Sequence, residues 1–275
     1  GTWKKLFFAS RAAKRVGAKR VVARVGLESD TPRSAKYRYA LRHWTDTVVV
    51  NAERMAPPFR NLEGFGADNV RVIHNGVIVP ERQAPRGSLR EQLGIPLDAR
   101  VIGTVARLAK QKRVDRLLRI AAALPSDVHC VIAGDGPDRL DLIRQSQAIP
   151  NRERIHFIGH RENKGDVLDA LDVFVLTSDK EGLSNAMLEA MAFGLPVIST
   201  PVSGSEEALG VDETGRLAGV VTGFDEASII RAINSLLDSK RLQVETGVVA
   251  RNRALTMFSL DTMLDRWEGV LNGIG

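Results

Sequence analysis

From Arg100 onward, short apolar runs alternate with helical patterns at near-regular spacing, and this alternation limits the fold more than any other feature. The runs cover residues 100–105, 128–133, 155–158, 172–176, 196–199 and 219–221. Each has the length and apolar character of a buried strand. Between them, residues 113–123, 137–147, 166–171 and 185–193 are rich in helix formers, and 227–237 and 260–271 have amphipathic spacing. Strands that alternate with helices predict βαβ units, hence an α/β fold with a Rossmann-like parallel sheet and helices on both faces. In such sheets ligands sit outside the carboxyl ends of the strands. The loops that follow strands are therefore where chemistry is expected.

Upstream, residues 21–25, 47–51 and 69–74 predict three more strands, and 34–44 a helix. Residues 77–98, rich in Pro, Gly and Arg, read as a connector with one short helix near 89–93. The charge is concentrated at the front. Residues 1–27 hold eight Lys/Arg and no acid, whereas the rest carries 31 basic and 33 acidic side chains. The pI of about 9.7 is thus a property of the first segment. A nucleic-acid-binding face would spread that excess, so nucleic acid is not an expected partner. Trp3, Leu6, Phe7, Ala13 and Val16 recur at helical spacing among Lys4, Lys5, Arg11, Lys14 and Arg15. Two readings of this basic amphipathic helix stay open: contact with an anionic membrane surface through residues 3–24, or packing on the flank of a domain. The single cysteine, Cys130, lies in an apolar run and reads as a core residue of a reducing compartment. No run of 18 apolar residues marks a transmembrane helix.

Three loops carry candidate chemistry. After the strand at 100–105 come Arg107, Lys110, Lys112 and Arg113, four cations in seven residues. At a strand's carboxyl end this favours an anion site, with Arg107 and Lys112 as its best members. After 128–133 come Gly134-Asp135-Gly136-Pro137, which allow a tight turn and close approach to backbone, although Arg139 replaces the third glycine of a dinucleotide fingerprint. After 172–176 runs Ser178-Asp179-Lys180-Glu181-Gly182-Leu183-Ser184, with Ser184 placed to cap a helix over 185–193 that Gly194 and Pro196 end. That helix is apolar almost all round, so it is expected to be buried, with Asn185 and Glu189 sharing its one polar face. Glu189 has two readings at this point: an internal ion pair, or a contact to a ligand hydroxyl. Glu181 is expected at the mouth of the loop, and the amides of Leu183, Ser184 and Asn185 between the two carboxylates. His156 and His160 lack the further ligands of a zinc pattern, and no metal site is expected.

The chain resembles glycosyltransferase family 4, the retaining two-domain (GT-B) sugar transferases. The resemblance runs from about Asn69 to the C-terminus and rests on His74-Asn75-Gly76-Val77, Arg107 through Lys112, Gly134-Asp135-Gly136-Pro137, and above all Glu181 through Ala192 with Gly194 to Ile198 behind. It implies that Arg107 and Lys112 grip the diphosphate of a nucleotide-sugar donor and, with Glu181, act in catalysis. Glu189 would bond the ribose, and Glu181 the sugar hydroxyls. Gly182, Leu183 and Ser184 would hold phosphate or sugar, and the segment at His160 and Arg161 would lie by the base, with Gly134 also in the donor site. Ala106 and Arg113 stand where the family usually has glycine, and Pro-Val-Ser-Gly-Ser-Glu-Glu where two adjacent glycines are common. The implied architecture is the remnant of a truncated N-terminal, acceptor-side domain at 1–74, a donor-binding domain at 75–258, and a helix at 259–275 packing back. The implied activity is transfer from a nucleoside-diphosphate sugar (UDP-sugars being common donors) to a glycan or lipid-linked acceptor in polysaccharide biosynthesis. It would need no cofactor, in the cytoplasm or at the inner face of the cell membrane. The alternatives are a nucleotide-sugar-binding module without catalysis and a sugar-nucleotide epimerase.

Overall fold

The computed structural model of the chain describes residues 2–27, 30 and 34–273, with side chains from residue 5 onward, so Trp3 and Lys4 of the basic face lie outside the described side chains. Two parallel sheets form the frame. The first has β1 (Val22–Val25), β2 (Thr47–Val50) and β3 (Val70–Val72) in that order, with α1 (Thr2–Arg15), α2 (Ala35–Trp44) and the short α3 (Pro57–Arg60) around it. Its core gathers Val25, Leu41, Val48, Val50 and Phe59.

The second sheet is entered through α4 (Ser88–Gln92). Its strands are β4 (Arg100–Val105), β5 (Val128–Ala133), β6 (Ile155–Gly159), β7 (Val173–Leu176), β8 (Val197–Ser199) and β9 (Gly219–Val221). Between them run α5 (Val114–Ala123), α6 (Arg139–Gln147), α7 (Lys164–Asp169), α8 (Asn185–Phe193) and α9 (Ser205–Ala208). After β9 come α10 (Glu226–Leu237), α11 (Lys240–Met257) and α12 (Leu260–Asn272). Side chains alternate across the sheet as the strand period demands. Val101, Val131, Phe174 and Val197 face one core with α8 and α11, while Ile102, Ile132, Val175 and Ile198 face the other with α5 and α10.

The six strands lie in the order β6-β5-β4-β7-β8-β9. The chain winds outward from β4 on one side and then returns to β7 to wind outward on the other. The switch point between β4 and β7 is where the following loops diverge and open a crevice.

Every expected strand is present: three keep their expected bounds, that at 155–158 runs one residue further, and the other five are trimmed by one to three residues. Asp172 lies just outside its strand, and its carboxylate accepts from the amide of Val101 at 2.9 Å and from Arg90 at 3.0 Å. The helix α11, 18 residues long, is an addition to the expected elements. The helix α12 lies against the first sheet, with Val270 packed among Val49, Ile73 and Trp267. The helix α1 packs on α2: Leu6 joins the first core, and the Phe7 ring meets Trp44 edge-on with centroids 5.0 Å apart. Its apolar face is therefore largely covered, leaving Phe8 and Val16 outside beside exposed Lys5, Arg11 and Arg15.

Candidate functional site

The switch point carries a cavity of about 710 Å³, within the range of small-molecule sites. The loop after β4 shapes one wall and is stitched to the loops beside it. Ala106 donates its amide to Ala133 at 3.0 Å, Leu108 to Asp135 at 2.9 Å, and Gly134 to Gly159 at 2.7 Å. Gly134 is required where it stands. Its φ is +133°, and a Cβ would sit 1.8 Å from the carbonyl oxygen of Ala106, far inside any tolerated contact.

The loop after β7 is tied across to the loop after β4. Asp179 donates its amide to Gln111 at 2.9 Å, and the Thr177 hydroxyl donates toward the carbonyls of Lys112 and Arg113 at 3.1 and 3.0 Å. Arg113, where the family usually has glycine, still makes the left-handed turn, at φ 50°. Its guanidinium pairs with Asp115 at 3.0 Å and Asp179 at 2.9 Å, while Arg116 reaches Asp179 at 2.8 Å. Burial raises the Asp179 pKa, but the hydrogen bonds from the two arginines outweigh it and hold the carboxyl below the usual range. In this frame Lys112 and Glu181 form an ion pair, and the Ser178 hydroxyl donates to the same Glu181 oxygen at 3.1 Å. Glu181 thus lies in this loop with little exposure, 7%, and lines the cavity.

Ser184 caps α8, accepting the amide of Met187, and the buried side of the helix carries Met187, Leu188, Ala190, Met191 and Ala192. The amides at its start have no carbonyl within the helix to bond, so this end favours an anion. One turn on, Glu189 faces the cavity. Lys164, at the start of α7, donates to Glu189 Oε1 at 2.6 Å, whereas Oε2 is buried without a partner. Glu189 thus has one oxygen in an ion pair and one buried without a partner.

Of the ten predicted site residues, Arg107, Lys112, Gly134, His160, Arg161, Glu181, Leu183, Ser184 and Glu189 all line the cavity. Gly182 does not line it. It lies beneath the seam between the sheets, where a Cβ would meet Asn51 Oδ1 at 2.2 Å and the Gly26 carbonyl at 2.5 Å. Twelve further residues line the cavity, and those with polar side chains are Arg24, Asn51, Asn75, Asp135, Lys164 and Asn185. Asn75 crosses the seam, donating to the Leu183 carbonyl at 2.8 Å and to Asn185 Oδ1 at 2.7 Å. In the sequence, Asn75 stands only within the His74–Val77 part of the resemblance and Arg24 only in the basic first segment, and nothing marks Asn51.

His156 sits away from His160 and stacks instead on His129, with 3.1 Å between Nε2 and Nδ1. Among the described residues, no three His, Cys, Asp or Glu converge as a metal-holding group.

The chain is 27% identical over 257 residues to N-acetyl-alpha-D-glucosaminyl L-malate synthase of Bacillus anthracis, covering 83% of this chain and 65% of that protein. It is 28% identical over 231 residues to the lipopolysaccharide core biosynthesis glycosyltransferase LpsE of Rhizobium meliloti, covering 82% of this chain and 64% of that protein. The chain thus spans just under two thirds of the length of these relatives. Among solved structures, Anabaena HepE in complex with UDP superposes with a TM-score of 0.86 at 20% identity, over 98% of this chain and 77% of that one. The same protein with UDP-glucose gives 0.85 at 22% identity, over 98% and 77%. At such identity the likeness is one of fold, a GT-B-type pair of parallel sheets flanked by helices. The family model of glycosyl transferases group 1 matches residues 85–253, the stretch that holds every loop the six-stranded sheet sends to the cavity, and the chain belongs to that family.

Proposed function

We propose that this chain binds a nucleoside-diphosphate sugar and transfers the sugar, with retention of anomeric configuration, to a glycan or lipid-linked acceptor. One observation carries the reading. The loops after β4 and β7 meet at the switch point, so that Arg107, Lys112, the start of α8, Glu181 and Glu189 surround one cavity. Arg107 and the amino end of α8 take the diphosphate, with Lys112 released toward it from Glu181. As the glycosidic bond breaks, negative charge grows on the leaving diphosphate, and fixed donors stabilise it where it develops. These groups fill the role that a metal ion has in other transferases.

Glu189 Oε2 accepts from the ribose, and Glu181 addresses the sugar hydroxyls. The backbone at Gly182, Leu183 and Ser184 holds the sugar or phosphate, and Gly134, His160 and Arg161 border the base. Residues 75–258 act as the donor domain, 1–74 as the acceptor side, and 259–275 as a strap between them. The donor-bound relatives in fold, HepE with UDP and with UDP-glucose, support a uridine nucleotide. The test is product analysis. Incubation of the protein with UDP-sugars and acceptor extracts should yield a glycoside whose anomeric proton coupling matches that of the donor, and inversion would overturn the retaining assignment.

A second element concerns place. No helix among the described residues is long and apolar enough to cross a membrane. Exposed Phe8 and Val16 flanked by Lys5, Arg11 and Arg15 support peripheral contact with anionic lipid at the inner face of the membrane. Vesicles containing anionic lipid should sediment the chain in low salt, and failure to do so would remove this element.

A further inference from the structure

The cations around the cavity are not equivalent. Lys112 is neutralised by Glu181 and Lys164 by Glu189. Arg107 and Arg161 come from the six-stranded side, and no carboxylate pairs with either among the described residues. Arg24 is the exception in position. It rises from β1 of the three-stranded sheet, on the opposite wall of the same cavity.

Its aim is fixed by a relay. Arg24 Nη2 donates to Asn75 Oδ1 at 2.8 Å, and Asn75 spends its own amide on Leu183 and Asn185 across the seam. Asn75 is buried, so this anchor is screened from solvent. One guanidinium N–H is used in this way, no carboxylate pairs with Arg24 among the described residues, and an arginine has five N–H donors to offer. Asn51, just after β2 of the same sheet, is 4% exposed and turns its unpartnered Oδ1 against Gly182, beneath the seam.

An oriented guanidinium with no carboxylate partner, on the wall of a cavity, is complementary to a molecule that carries an anion. We propose that the acceptor is such a molecule. Arg24 binds its phosphate or carboxylate, so Arg24 sets acceptor class. This rests on the glycosyltransferase reading above: the donor diphosphate is held by the wall that carries Arg107 and α8, and the opposite wall faces the incoming nucleophile.

The test is calorimetric titration of the protein, with and without saturating UDP, using glycerol 3-phosphate, L-malate and neutral glycerol. At least one anionic probe should bind ~10-fold or more tightly than glycerol, the strength of one charge-assisted contact. The phosphate and carboxylate arms identify which anion is read. Arg24→Gln should abolish the preference and Arg24→Lys retain part of it, with UDP affinity changed by no more than about twofold. Equal binding of all three probes, or a preference that survives in Arg24→Gln, would overturn the proposal. So would a loss of UDP affinity of ~10-fold in Arg24→Gln, which would move Arg24 to the donor. Failure of the donor reading is seen separately, as no UDP binding by the unaltered protein; the titrations without UDP then still decide the role of Arg24.

Discussion

Glu189 divides its carboxylate between a neighbour and nothing: Lys164 Nζ lies 2.6 Å from Oε1, and Oε2 is buried with no partner. A buried carboxylate oxygen left without a partner is costly. The Lys164 side chain is 39% exposed, so it can return to water once its partner is removed. Glu189→Ala is therefore expected to cost only ~0–1 kcal/mol of stability, as for a partly exposed pair. Nucleotide affinity should fall by ~10-fold or more through loss of a charged hydrogen bond. Melting and titration calorimetry on the same sample measure both. A collapse of stability with affinity intact would return Glu189 to a purely structural role.

Arg113 occupies left-handed backbone that a side chain adopts only at a cost of roughly 1–2 kcal/mol. Arg113→Gly loses the ion pairs to Asp115 and Asp179 but relieves that cost, whereas Arg113→Ala loses the pairs and keeps it. The glycine variant should be more stable than the alanine variant by ~1 kcal/mol, the reverse of their order in a helix interior. Urea denaturation of the two variants decides it, and an alanine variant that equals or exceeds the glycine variant contradicts the turn.

The reading of the chain from its residues reached the frame and one wall of the site, for reasons visible in particular elements. The strand over Val173–Leu176 and the cap at Ser184 are local signals, written in consecutive residues. The helix Lys240–Met257 has no such signal. Its buried positions include Gln243, Thr246, Gly247, Ala250 and Ala254, polar or small, so no apolar stripe marks its period. Nor could Arg24 or Asn51 be found in advance. They reach the cavity only because two sheets meet, and neither has a sequence neighbour that belongs to it. The partition of Glu189 required the position of Lys164, 25 residues away.

Asp179 couples the site loop to pH. Its carboxyl titrates below the usual range because the hydrogen bonds from Arg113 and Arg116 outweigh the effect of burial. A depressed folded-state pKa contributes stability that is complete above the unfolded value of ~3.9 and lost as pH falls through the folded value. The stability gap between the protein and Asp179→Asn should thus be constant from about pH 5 upward and shrink below pH ~4. Urea midpoints across that range measure it; a gap that widens with acid would show the pair to be misassigned.

Cys130 is buried at 1% exposure, and burial pushes its thiol up to about 12. At pH ~8 the folded protein then holds on the order of a thousandfold less thiolate than a free cysteine. Iodoacetamide should modify it only upon unfolding, as read by intact mass with and without urea. Rapid labelling of the folded chain would contradict its place in the core.

The central claim, that the crevice between β4 and β7 is a nucleoside-diphosphate site, meets its most direct test in the melting temperature of the chain with UDP, GDP and ADP. At 100 times its dissociation constant a bound nucleotide adds ~2.7 kcal/mol, a plain upward shift. At least one of the three should produce it, and Arg107→Ala and Lys112→Ala, each compared with its own unliganded melt, should abolish it. No shift with any of the three at millimolar concentration would contradict the account.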